Sequence, residues 1–332
     1  MNATPADEVH YVDDGAGWKV ALKRVASVST GGREGEHASR TPRPVIIVPG
    51  YQMNSFIFGF HPRGLSLEAY LASRGIEVWS IDLRGQGRAV RDGGSDVYGL
   101  GELAIEDLGA AIRYVRAHSE TKHDEVDLIG CSLGTALAFT HLASVPDAKV
   151  RTIVAMGGLV TWVHVNRVLR VASHAPWLVA RLRMKNARAI AGVALPLIVK
   201  WAPGLLSIYL NAKSTDTSQH AKMVQTVEDA NPHLNREIAE WIARGELVVR
   251  GVNVSRALPT MKHSFMCVVG NDDGVVPPKT ARATFDAIGS EDKKLLCVGD
   301  RRTPIAHADL FLADIAPERI FRPIADFLIA RA

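Results

Sequence analysis

The sequence predicts an α/β protein, a mostly parallel central sheet with helices on both faces and a helical insertion late in the chain. Three observations carry this. Short apolar runs recur at 45–48, 76–81, 126–129, 151–156, 265–269 and 295–298. Helix-spaced segments lie between several of them, the alternation that builds parallel strands. From about 157 to 260 the alternation stops, and Pro and Gly separate several helix-like stretches. The expected organisation is therefore a sheet-containing core over 1–156 and 261–332, with residues 157–260 forming a helical lid over it.

Residues 8–12 and 18–28 alternate in polarity around Asp13-Asp14-Gly15-Ala16-Gly17 and read as a hairpin that adds antiparallel strands at one edge. Residues 29–43, rich in Gly, Ser, Thr and charge, read as a loop. Leu103, Leu108, Ile112 and Val115 share one helical face. Helix-like segments also follow at 135–143 and 318–330.

Composition narrows the class. The chain has 332 residues, 47% hydrophobic and 22% charged, ordinary for a globular enzyme with a large core. A net charge of +4 without runs of like charge gives no nucleic-acid signature. Cys131, Cys267 and Cys297 are odd in number and widely spaced, so a disulfide framework is not expected and a reducing, cytoplasmic setting is. All three read as packed residues. The first ten residues lack an apolar signal core. The apolar stretch 189–210 contains Pro196, Lys200 and Pro203, which argues against a membrane span.

The chemistry centres on Gly130-Cys131-Ser132-Leu133-Gly134, a G-x-S-x-G run after a strand and before a helix. A turn this tight crowds the backbone, and glycines on both sides of Ser132 relieve the crowding. The hydroxyl then stands at the carboxyl end of the sheet beside a helix N-terminus, whose N–H groups can hold a developing oxyanion. Cys131 flanks the nucleophile position, so its side chain should point away from the cleft.

A serine nucleophile needs a base, and the base an orienting carboxylate. Two later segments place polar groups beyond strand ends, where open α/β sheets bind ligands. One holds Asp272 and Asp273. The other holds His307 and Asp309. His307 alone among the twelve histidines follows the last strand with the acidic turn ahead of it, whereas His118, His123 and His141 read as solvated residues on or near helices. Asp309 reads as the cap of the next helix.

With these segments in order, the chain resembles the α/β-hydrolase superfamily over residues 44–156 and 262–332. The resemblance implies a Ser132–Asp273–His307 triad, with Asp273 at the acid position of a G-x-D-D-x-x-V-P pattern and Asp272 left as a turn residue. Val48-Pro49-Gly50-Tyr51 looks like the family's oxyanion loop, which implies backbone donors at Tyr51 and Leu133. Asp82-Leu83-Arg84-Gly85-Gln86-Gly87 is similar to its D-x-R-G-x-G turn. Residues 54–85 also look like polyhydroxyalkanoate synthases and acid lipases. The synthases carry cysteine where this chain has Ser132, so hydrolysis of a small-molecule carboxylic ester with a hydrophobic acyl or alcohol group, through an acyl-enzyme on Ser132, is expected ahead of acyl transfer of the polyester-synthase type or a non-enzymatic receptor role. Neither a metal nor an organic cofactor is needed for that chemistry.

Between residues 160 and 213 stand Arg167, Arg170, Arg181, Arg183, Lys185, Arg188, Lys200 and Lys213, with Trp162, Trp177 and Trp201 and no Asp or Glu. Two readings stand. One is a lid with a solvated outer face; the other is a lid that meets an anionic lipid surface.

Overall fold

The computed structural model describes residues 8–28, 41–165, 185–202, 204 and 206–332. Eight strands form the main path of the sheet. They are β1 (Glu8–Asp13), β2 (Trp18–Val25), β3 (Val45–Val48), β4 (Val78–Asp82), β5 (Val126–Cys131), β6 (Val150–Met156), β7 (Ser264–Gly270) and β8 (Lys293–Val298). Their order is β1-β2-β4-β3-β5-β6-β7-β8, and a two-residue strand, Val90–Arg91, pairs beside β2. Both pairings of β2 along this path are antiparallel, and all pairings from β4 to β8 are parallel. The hairpin is closed by local chemistry: Asp14 accepts from the N–H groups of Ala16 and Trp18.

Residues of β3, β4, β5 and β7 are buried throughout, which explains why these strands read as unbroken apolar runs. Their two-residue period divides the core. Ile46, Val48, Leu128 and Phe265 join one cluster, with Val45, Ile47, Ile129 and Met266 in the other. The first cluster is covered by α2 (Leu108–His118) and α3 (Leu133–Ser144). The second is covered by α1 (Leu67–Ser73) and α7 (Arg322–Ile329).

Burial corrects two readings of the sequence. Cys297 is exposed, because β8 is an edge strand with a solvent-facing side; Cys131 and Cys267 are buried. His141 is buried and bonds the carbonyl of Ala104 at 2.8 Å, since its face of α3 meets the helical segment Glu102–Asp107 that leads into α2.

The insertion is not uniform. Helix α5 (Pro232–Arg244) and the residues after it pack into the first cluster through Leu234, Trp241, Leu247 and Val254, and Trp241 Nε1 donates to the carbonyl of Val160 at 2.9 Å. Helix α4 (Ala187–Trp201) buries only Ala187. The chain re-enters the sheet at β7, and helix α6 (Pro278–Ala287) links β7 to β8. Arg167, Arg170, Arg181, Arg183 and Trp177 lie outside the described residues. Among the described residues no helix is long and apolar enough to cross a membrane.

Candidate active site

Strand β5 ends at Cys131, α3 begins at Leu133, and Ser132 alone makes the turn. Its backbone sits at φ 52° and ψ −117°, a conformation L-residues avoid and one that costs roughly 1–3 kcal/mol. The strain is held by neighbours. Ser132 N–H donates to Met156 O at 2.9 Å, and Thr135 N–H to Ser132 O at 3.0 Å. The flanking glycines are required by space. A Cβ at Gly130 would lie 2.6 Å from Thr135 Cα, and one at Gly134 would lie 2.3 Å from the Val48 carbonyl oxygen. Cys131 is packed as expected, and burial pushes its thiol well above the usual range.

Asp273 and His307 are brought together across 34 residues of sequence. His307 Nδ1 lies 2.8 Å from Asp273 Oδ2, and both side chains are buried. Asp273 Oδ1 accepts from the N–H groups of Val275 and Val276 at 2.9 and 2.8 Å, which fixes the carboxylate plane. The acid and histidine loops are stapled by Asp272 N–H to Ile305 O at 3.0 Å and Ile305 N–H to Asn271 Oδ1 at 3.0 Å. Asp272 is exposed. Ser132 and His307 line the same cavity, and no hydrogen bond spans them in this structure.

Asp309 is not the helix cap expected from its position. Its fully buried carboxylate accepts from Ala306 N–H at 2.8 Å, Asn211 N–H at 3.1 Å and the Thr215 hydroxyl at 2.6 Å. It clasps the histidine loop to the insertion. Burial pushes its carboxyl above the ordinary value against those hydrogen bonds. Ala308 N–H adds a bond to Tyr209 O at 2.7 Å, and the Tyr209 ring lies 5.7 Å from that of His307. Tyr209 carried no motif in the sequence.

The loop after β3 passes directly over the elbow: a Cβ on Gly50 would lie 3.0 Å from Ser132 Cβ. This brings Tyr51 to the elbow, while Leu133 opens α3 with an N–H that has no intrahelical acceptor. Neither amide donates to a described residue. The Tyr51 hydroxyl bonds Asn235 of α5. Below this loop Asp82 accepts from Ser55 N–H at 2.7 Å and Arg88 N–H at 3.0 Å. Arg84 is buried among Asp14, Glu106 and Asp107, and burial pushes the Asp107 carboxyl up to about 7. The D-x-R-G-x-G turn thus has its own polar support, and Arg84, Gly85 and Gln86 line a small pocket together with Tyr51 and Gln52 of the loop after β3.

The cavity has a volume of about 260 Å³. Ser132 and His307 stand in a wall that is otherwise almost wholly apolar. Met53 and Ile57 come from the chain after β3, Ala191, Ala194, Leu195 and Ile198 from α4, and Phe311 and Leu312 from the chain after His307.

The chain is similar to known proteins in the following ways. A family model described as serine aminopeptidase S33 matches residues 45–300. No curated protein sequence matches the chain. An esterase from Exiguobacterium antarcticum is 16% identical with a TM-score of 0.64, over 97% of this chain and 99% of that one. A soluble variant of monoglyceride lipase from Saccharomyces cerevisiae, in complex with a substrate analogue, is 15% identical at 0.64, over 100% and 97%. The monoacylglycerol lipase of Paleococcus ferrophilus is 16% identical at 0.59, over 94% and 99%. At these identities the structures speak for the fold, and the match over most of the chain speaks for the family. With its strand order, its elbow and that match, the chain belongs to the serine aminopeptidase S33 family of α/β-hydrolases.

Proposed function

We propose that the protein hydrolyses carboxylic esters with a hydrophobic acyl group, through an acyl-enzyme on Ser132. The carrying observation is the apolar cavity that has Ser132 and His307 in its wall. His307, held at Nδ1 by Asp273, has Nε2 left to take the Ser132 proton as the hydroxyl attacks the acyl carbon. Asp273 keeps the imidazole in the required tautomer and offsets its charge after the transfer. The amides of Tyr51 and Leu133 hold the oxyanion. His307 then protonates the leaving alcohol, and water repeats the sequence to release the acid.

The family description includes peptide cleavage, but the described cavity wall contains no Asp or Glu to receive a peptide amino terminus. That supports an ester with an apolar acyl chain. The test is a p-nitrophenyl ester series of rising acyl length on wild type and Ser132→Ala; full turnover by the variant would sink the proposal. Product analysis with an added alcohol separates hydrolysis from acyl transfer.

We also propose that α4 meets an anionic lipid surface. Ile190, Val193, Leu197 and Trp201 form one stripe along the helix and are 55%, 69%, 55% and 74% exposed. The Lys200 ammonium lies 5.0 Å from the Trp201 ring centre, a pairing suited to the interface of an anionic bilayer. Co-sedimentation with anionic vesicles at low salt should be lost in a Val193→Ser/Trp201→Ser variant. Absence of wild-type binding at low salt would remove this idea.

A further inference from the structure

We infer that Glu228 is a positioning residue that ties α4 to the loop carrying the Tyr51 amide. This rests on the proposed reaction at Ser132. One carboxylate oxygen, Glu228 Oε1, accepts from three separate parts of the molecule. They are the Asn54 side-chain amide, Gly87 N–H at 3.0 Å and the Arg188 guanidinium of α4 at 2.7 Å. Its backbone joins the same loop: Glu228 N–H donates to Gln52 O at 2.9 Å, and Gln52 Nε2 donates to Glu228 O at 3.4 Å. Asn54 N–H donates to Thr226 O at 2.9 Å, and Met53 bridges Val227 in antiparallel fashion. Residues 52–54 and 226–228 therefore run as a short two-stranded pair.

The other edge of this pair holds the helix. Arg188 Nε donates to Val227 O at 3.1 Å, and Ala187 N–H, at the start of α4, donates to Asp229 Oδ1 at 2.8 Å. The start of α4 is fixed to a segment whose far side is the oxyanion loop. Charge-assisted bonds of this kind are the stronger ones, and the Glu228 side chain is only 17% exposed.

The loop needs such a tie. It has no helix or extended strand of its own, and Gln52 sits at φ 53°. An oxyanion donor works only when its N–H points at the place where charge develops, so a small rotation of the peptide before Tyr51 weakens it. Ala191, Ala194, Leu195 and Ile198 of the same helix line the cavity. An acyl chain pressing on that wall pushes, through Arg188, Glu228 and Asn54, on the loop that carries the Tyr51 amide. Occupancy of the chain site and competence of the oxyanion site are thereby linked.

The test uses Glu228→Ala, Glu228→Gln and Arg188→Met, with Ser132→Ala as control. It combines kcat and KM on butyrate and octanoate p-nitrophenyl esters, melting temperatures, and amide exchange of residues 51–54. Glu228→Ala should lower kcat about ten-fold or more with KM within about two-fold, and should speed that exchange. Glu228→Gln keeps an acceptor oxygen and should recover most of the butyrate kcat. Arg188→Met should hurt octanoate turnover more than butyrate turnover. A Glu228→Ala variant with kcat within about two-fold of wild type, with its loss in KM, or with unchanged exchange overturns the inference. A fall in melting temperature with normal kcat below the transition also overturns it. If Ser132→Ala keeps full activity, the reaction reading fails instead, and exchange in Glu228→Ala and Arg188→Met alone decides the tie.

Discussion

Strand β5 and helix α3 meet through glycines 130 and 134 with no room for an added methyl, whereas α4 touches the cavity with one face and water with another. At the elbow a single added methyl at Gly134 runs into the Val48 carbonyl. In α4 only Ala187 is buried, Pro196 interrupts the helix interior, and its N-terminal side is held by Asp229 and, through Arg188, by Glu228. The elbow is fixed by close packing of backbone on backbone. The covering helix is fixed by a few polar ties and an apolar face whose partner is the cavity. Atoms that must stay fixed are best held by the first kind of structure, and a wall that can yield by the second.

Predictions follow the same division. Ser132→Ala should lower ester turnover by about 10⁴-fold or more, with a melting temperature no lower than wild type, because the strained turn keeps its geometry. Steady-state rates and calorimetry check this. Asp273→Asn should cost about 10³–10⁴-fold in kcat with little change in KM, since His307 would lose its orienting acceptor. Gly134→Ala should destabilise the protein by about 2–4 kcal/mol in denaturant melts, and an equal cost for Ala194→Trp in α4 would erase the contrast. Ala194→Trp should instead fill the cavity, lower octanoate turnover about ten-fold and leave acetate turnover and stability nearly unchanged.

The smallest effect concerns neither region. The Arg331 hydrogen bond, helped by Ser264, holds the Asp292 carboxyl down at about 2, against burial. A carboxyl lowered on folding adds stability that is present above about pH 4 and lost as pH falls toward 2. The group is half exposed, so screening limits it to under about 1 kcal/mol. Asp292→Asn should melt slightly below wild type at pH 7, and the two should converge near pH 2. A gap that persists at pH 2 would assign the effect to packing.

Residues that act through their own neighbourhood were legible from composition and spacing. The elbow announced itself because glycines 130 and 134 are needed within two residues of Ser132. The loops that hold Asp273 and His307 were legible because each follows a strand end, while the choice of Asp273 over Asp272 came from the resemblance to the family pattern. Asp309 was misread, since a carboxylate near a helix start resembles a cap until Asn211 and Thr215 are seen to reach it from the insertion. Cys297 was misread because an apolar run does not say whether its strand lies at the sheet's edge.

The sequence by itself determined the strand and helix alternation, the strand-to-helix turn at Ser132 and the two loops that hold Asp273 and His307, because local backbone sterics and side-chain periodicity dictate them. Only the tertiary structure decided that β4 lies between β2 and β3, that α4 walls the cavity, and that Glu228 and Asn235 grip the loop after β3. Those are meetings of segments many residues apart, chosen by which surfaces bury one another and which polar groups find partners, and no short window of sequence contains both sides of such a contact.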